Sequence, residues 1–461
     1  MGLLVLLSLV ALAPASRLPQ DSRLKTASRE PIRNGWITVR LAGTPSEIGY
    51  QHGYLLAPEI EDNYKALKLS MIHDSKDWNF YRTAAETVLW PHIEEEYRAE
   101  LQGIVEGLHA KKTKLDIWDI TAMNAAMELT PYYVNWYDRQ RDPAAKPKPV
   151  PEHCSAFVAT GSYTKDGKIV IGHNNWSDYL TGSRWNIMFD ITPADGHRLI
   201  MDGMPGLIHS GDDFGMNAAG IVITETTISG FHGFDPKGVP EFVRARKAMQ
   251  YSSSIDDFAR LMTEGNNGGY ANDWLVADRN TNEIASLELG LKNVNLKRTK
   301  DGYFVGANFP IDPKLAAEET DFDLANGSLS PNARRVRGEA FMQENRGKFD
   351  VVSGEKYLSD HYDSFDKKEK PSERTLCGHI ELSSRGSKPW QPEFGPAGAV
   401  QAKVTDADLA STMSLYASSG HACGIGFKAA QHIAAHPEFA WQKPLLRDLP
   451  SQPWTLFAAA K

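Results

Sequence analysis

A cysteine opens the apolar stretch Cys154-Ser155-Ala156-Phe157-Val158-Ala159, directly behind a run that holds Pro143, Pro147, Pro149 and Pro151 among lysines. That run reads as an extended, solvated linker. Cleaving the bond between His153 and Cys154 would expose a thiol and a free α-amine on one residue. An α-amine has an ordinary pKa near ~8, low enough to take the thiol proton at neutral pH, so nucleophile and base would come together. The chemistry expected is attack on an acyl carbonyl, an oxyanion held by N–H donors, and a thioester that water resolves. A proline-rich linker lets the cut end swing clear.

Other residues of the chain could also do chemistry. Arg244 and Arg246 lie two apart in a helical pattern and cannot share one face. At most one is expected to bind substrate in a pocket, where it would favour a phosphate or carboxylate. Asp212-Asp213 has no HExxH or close His/Cys cluster beside it, so a turn is expected there and neither metal nor cofactor is called for. An oxidising compartment makes Cys377 and Cys423 a candidate disulfide that leaves Cys154 as the odd thiol. Three cysteines allow three single pairings, and spacing does not choose among them.

The elements that must position these groups change character at the linker. From about 44 to 129 apolar residues recur at three and four, which predicts a helical segment; residues 17–136 are assigned to it and 137–153 to the linker. From 154 onward short strands alternate with tight turns. SAFVAT and KIVIGHN flank Asp166-Gly167, and NIMFDIT and HRLIM flank Asp195-Gly196, both hairpin signals. GIVITET, the two halves of WLVADRNTNEIASLELG, and YFVGAN after Asp301-Gly302 read as further strands. PEFVRARKAMQY and SIDDFARLMTEG read as a helical pair with a proline and a serine at their starts. The expected class is α+β, with helices layered on antiparallel sheet and a core over 154–461.

A chain of 461 residues with 41% hydrophobic content can bury a large core. The net charge of −8 and scattered Lys and Arg disfavour nucleic acid. Residues 1–16 read as a signal peptide, with an apolar run from Leu3 to Leu12 before Ala13-Pro14-Ala15, and no later stretch is long enough for a transmembrane anchor. A secreted, periplasmic or lysosome-like lumenal location is therefore expected. Asn175-Trp176-Ser177 and Asn326-Gly327-Ser328 fit the glycosylation sequon, the first expected to stay bare.

HCSAFVATGSYTKDGKIVIGHNNWSDY resembles the start of the mature large chain of the phospholipase B-like proteins. The likeness extends in order through VRLAGTPSEIGYQHGYLLAPEI, SGDDFGMNAAGIVITETT, VPEFVRARKAM and NNGGYANDWLVAD. More distantly the chain resembles the acyl-coenzyme A:isopenicillin N acyltransferases and other N-terminal nucleophile hydrolases. The resemblance implies an αββα four-layer sandwich, self-cleavage between His153 and Cys154, and an N-terminal fragment that stays associated as a partner. It carries Cys154 over as nucleophile, with His173 and Trp176 lining the site and Asn272 near it. Glu152 stands where many relatives are expected to carry glycine.

The expected function is hydrolysis of carboxylic esters or amides, foremost acyl esters of phospholipids, with the Asn272 amide as a candidate oxyanion donor. An amidase or acyltransferase on the same fold is the alternative, and a non-catalytic lipid- or peptide-binding protein a further one. A serine lipase is excluded because no G-x-S-x-G nucleophile elbow occurs.

Overall fold

The structure, a computed structural model, describes residues 21–74, 76–148, 154–211 and 214–460. The expected leader at 1–16, His153 and Asp212-Asp213 lie outside the described residues.

Two sheets form the centre. The first runs, edge to edge, through Ser28–Arg29, Ile37–Gly43, Ile187–Pro193, Leu199–Gly203, Gly215–Asn217, Ile221–Thr227, Asn272–Asp278, Glu283–Leu289 and Val294–Thr299. The second runs through Gly302–Gly306, Ser155–Thr160, Val170–Asp178, Ala397–Asp406, Ser414–Ser419 and Thr455–Ala458. Alternation along the strands sorts the side chains into layers. Met188, Val222 and Leu275 of the first sheet meet Ala156, Val158 and Ile171 of the second in one buried core. On the outer face of the first sheet, Val39, Phe189 and Trp274 pack on Ile60, Leu101 and Phe258 from helices. On the outer face of the second, Phe157 and Val404 pack on Phe341 and Tyr357. The order helix, sheet, sheet, helix is the αββα sandwich.

The expected hairpins form, with Ala156 opposite His173 in one and Ile187 opposite Gly203 in the other. The helical pair lies at Glu241–Tyr251 and Ile255–Thr263, and Ser254 caps the second by accepting from the Asp257 N–H.

Three expectations need correcting. The first sheet is not wholly antiparallel, because Ile37–Gly43 runs parallel to Ile187–Pro193 over seven registered pairs. A crossover through the helical segment permits this, whereas a hairpin could not. The 17–136 segment is accordingly not helical throughout; it supplies two strands at one edge of the first sheet. Nor does the linker begin at 137, since helix Val134–Arg141 continues with Arg139 and Arg141 in its last turn, where cations suit the helix dipole. Asn135 then clasps Lys148 through both backbone groups, donating to its carbonyl at 2.9 Å and accepting from its N–H at 2.7 Å.

The helices before the linker are bound tightly to the rest. Helix Pro45–Leu55 starts with a capping box, in which Thr44 and Glu47 exchange hydrogen bonds. It lies against helix Glu95–Ala110 through Gly49 and Gly53 facing Gly103 and Gly107. A Cβ on Gly49 would sit 2.0 Å from the Glu100 carbonyl oxygen, so only glycine permits this backbone contact.

Candidate active site

Cys154 stands one residue before the strand Ser155–Thr160 and is 1% exposed. Its φ of +87° is a backbone conformation that non-glycine residues rarely adopt, costing about 1–3 kcal/mol. That torsion exists only while the bond to residue 153 exists. Breaking the bond abolishes the strain.

The hairpin register brings His173 beside the start of this strand, and Glu225 arrives from the other sheet. Cys154, His173 and Glu225 each present one donor atom, and the three atoms lie within 4.8 Å of one another in fully buried surroundings. Glu225 is fixed from two sides. The Tyr270 hydroxyl donates to its Oε1 at 2.9 Å, and the Asn272 amide nitrogen reaches its Oε2 at 3.1 Å and the Ala271 carbonyl at 2.9 Å. A thiol, an imidazole and an anchored carboxylate form a set in which the ring can take the thiol proton and the carboxylate can steady the resulting imidazolium. The same three donors could also hold a cation.

A residue not singled out by sequence holds the backbone of this site. Arg334, buried on helix Ser330–Glu344, donates through one terminal nitrogen to the Cys154 carbonyl and, at 3.4 Å, to Ser155 Oγ. Its other terminal nitrogen donates to Asn308 Oδ1 at 3.0 Å and its Nε to Ser330 Oγ at 3.0 Å. Its guanidinium also stacks 4.3 Å from the centre of the buried Trp176 ring. Trp176 therefore supports the site from behind, through Arg334.

The remaining candidates fall elsewhere or act differently. Arg244 donates to the carbonyls of Val239 and Met262 and to Asn267, while Arg246 pairs with Glu100 at 2.9 Å and bonds the Ile208 carbonyl. Both are buried in the helical layer with internal partners, and Arg246 also lines a small cleft with Glu96, Glu100 and Gln250. With its nitrogen turned toward Glu225 and Ala271, the Asn272 amide orients the carboxylate. Cys377 and Cys423 are free thiols, not a disulfide. Of the two sequon asparagines, Asn175 is buried and Asn326 exposed.

Next to the site lies a largely apolar cavity of about 720 Å³. Leu67, Met71, Met123 and Met127 from the helical segment form one wall, and Trp390 and Trp441 line it from the C-terminal region. Tyr270 is shared between cavity and site, and Lys148, the last described residue before Cys154, also lines the cavity.

The site's end of the first sheet holds two buried carboxyls face to face, Asp273 opposite Glu288. Burial lifts Asp273 from 3.8 to about 6, and burial together with Asp273 lifts Glu288 from 4.5 to about 7. A carboxyl with a raised folded pKa binds its proton more tightly in the fold, so its stabilisation is complete below about pH 4 and is lost as pH rises through 6 to 7. His52, lowered to about 3 by burial, acts in the opposite sense, costing stability as pH falls below 6.5. Asp273→Asn, measured in the uncut Cys154→Ala background, is therefore expected to gain roughly 1–3 kcal/mol over its parent at pH 8 and little at pH 4. Urea titrations at the two pH values check this; equal effects at both would remove the linkage.

The family model described as Phospholipase B matches residues 48–295. An uncharacterized protein of Archaeoglobus fulgidus is 25% identical over 74% of this chain and 59% of its own length. Phospholipase B-like 1 of Homo sapiens is 24% identical over 58% of this chain and 51% of its own, so the chain spans between half and three fifths of these two relatives. Phospholipase B of Crotalus adamanteus is 23% identical over 81% of this chain and 75% of its own. Among solved structures, the R18L variant of conjugated bile acid hydrolase from Clostridium perfringens aligns with a TM-score of 0.35 and 12% identity, covering 58% of this chain and 89% of that one. No helix among the described residues is long and apolar enough to cross a membrane.

Proposed function

Because this chain belongs to the Phospholipase B family, we propose that it is a self-processing cysteine hydrolase of acyl esters. The observation that carries this reading is the meeting of Cys154, His173 and Glu225 beside an apolar cavity. Cleavage before Cys154 frees its α-amine and removes the link between that residue and the cavity-lining segment that ends at Lys148. The acyl chain then lies along the methionine and tryptophan walls, where each buried methylene contributes up to ~0.8 kcal/mol. Cys154 Sγ attacks the acyl carbonyl, its proton passing to the α-amine or to His173. The alcohol leaves with that proton, and water, deprotonated by the same base, releases the fatty acid from the thioester.

The N-terminal fragment remains part of the enzyme, since it supplies a cavity wall and two strands of the first sheet. A lumenal setting suits the leader sequence, and Asp273 and Glu288 favour acidic pH. Matched acyl esters and N-acyl amides of increasing chain length test the substrate class. Esters are expected to turn over faster, with kcat/KM rising up to about fourfold per added methylene until the cavity fills. Preference for the amides would favour an amidase, and rates independent of chain length would remove the cavity from substrate recognition.

A further inference from the structure

Away from the candidate active site, two short motifs of mirrored spacing meet in space. Cys377-Gly378-His379 lies just before the turn Ile380–Leu382, and His421-Ala422-Cys423 follows the strand Ser414–Ser419. With His361 they bring two thiols and two imidazoles together, one donor atom from each of His361, Cys377, His379 and Cys423 lying within 4.8 Å of the others. Both cysteines are free thiols.

The distances and the hydrogen bonding fit a cation better than they fit four neutral side chains. His379 Nε2 lies 3.4 Å from Cys423 Sγ and 3.6 Å from Cys377 Sγ. A tetrahedron with Zn–S of about 2.3 Å and Zn–N of about 2.0 Å has sulfur-to-nitrogen edges of about 3.5 Å. The other nitrogen of this ring, Nδ1, is 2.9 Å from Glu381 Oε1, and a carboxylate there fixes the proton on Nδ1. Nε2 then turns a bare lone pair toward both sulfurs, as a metal-binding histidine backed by a carboxylate does. Glu381 is held in turn by the Tyr179 hydroxyl at 2.6 Å. The ring of His361 meets that of His379 edge-on at 5.1 Å, with one of its nitrogens among the four gathered donor atoms.

We infer that His361, Cys377, His379 and Cys423 form a structural zinc(II) site. Two sulfurs and two imidazole nitrogens in tetrahedral array select zinc over harder divalent ions, and four protein ligands leave no open position for substrate or water. Binding replaces the two thiol protons, which are released to solvent, with two zinc–thiolate bonds. The site ties together three loops that no other covalent link joins among the described residues. It also stands one layer behind Cys154. Gly378, between two of the ligands, packs so closely on Trp176 that a Cβ would sit 2.2 Å from the indole, and Trp176 carries the Arg334 guanidinium that holds the Cys154 carbonyl.

The full chain, produced with zinc in the medium and purified without a metal-affinity step, is to be assayed for metal by inductively coupled plasma mass spectrometry and for coordination by X-ray absorption. One zinc per chain is expected, with a shell of two sulfurs at about 2.3 Å and two nitrogens at about 2.0 Å. Cys154→Ala is expected to keep that zinc, because its thiol belongs to the other cluster; Cys377→Ser is expected to hold under a tenth of it. Should Cys377→Ser fail to fold, chelation of the wild-type chain serves instead, with a fall in thermal midpoint that zinc alone reverses. A chain without metal whose two thiols react freely, or one lighter by two hydrogens from a Cys377–Cys423 disulfide, overturns the assignment. So does zinc that is lost with Cys154→Ala.

Discussion

Cys154→Ala is expected to accumulate as one uncut polypeptide and to hydrolyse acyl esters at least about 10⁴-fold more slowly than the wild type. Two functions vanish together because both use one sulfur. Self-cleavage needs a nucleophile next to the peptide bond that leads into the strained Cys154 torsion, φ +87°, and turnover needs the thiol and the amine that cleavage liberates. The fold should survive, since replacing the thiol by hydrogen removes one heavy atom at the head of a strand whose ladder on both sides is intact. Gel electrophoresis under denaturing conditions and an ester assay read the two effects separately. An uncut chain with undiminished turnover would detach the thiol from catalysis.

Arg334→Lys should fold but cut itself and turn over roughly 10²- to 10³-fold more slowly, the loss typical of one misplaced donor in a preorganised site. An ammonium cannot reproduce the planar fork that reaches Cys154, Asn308 and Ser330 at once while lying on Trp176. Arg334 is a positioning residue, so the signature is a fall in kcat with KM little changed. A rise in KM alone would mean that it binds substrate instead. Arg334→Ala is the harsher change, because it leaves buried acceptors without donors, and loss of stability would then mask the kinetic effect.

Much of the sheet core was legible from short range. Asp166-Gly167 and Asp195-Gly196 between alternating runs left one reading, the hairpin, and the register of the first carries His173 to Cys154. What sequence hid was set at long range. The strand Ile37–Gly43 looks like any short apolar run, and its parallel partner begins at Ile187, beyond the whole helical segment. Glu225 is one more acidic residue inside GIVITET until the second sheet is laid over the first. Arg334 lies 180 residues from the carbonyl it holds, in a helix with four arginines at 334, 335, 337 and 346 nearby or within it, and nothing local distinguishes it. Arg244 and Arg246 show the converse. Their helical setting is plain from the local spacing, but the burial of both in that helix against its neighbours is not. The zinc ligands fall into the same class, since Cys377-x-His379 and His421-x-Cys423 are each too short a pattern to signal a site until the loops meet.

Under the proposed mechanism one residue supplies both nucleophile and free amine after the chain is cut in front of it. Intact mass and N-terminal sequencing of purified, active protein test this most directly. Two associated fragments, the larger beginning Cys154-Ser155-Ala156, are the predicted result. A fully active single polypeptide, or a new N-terminus at any other residue, would contradict it.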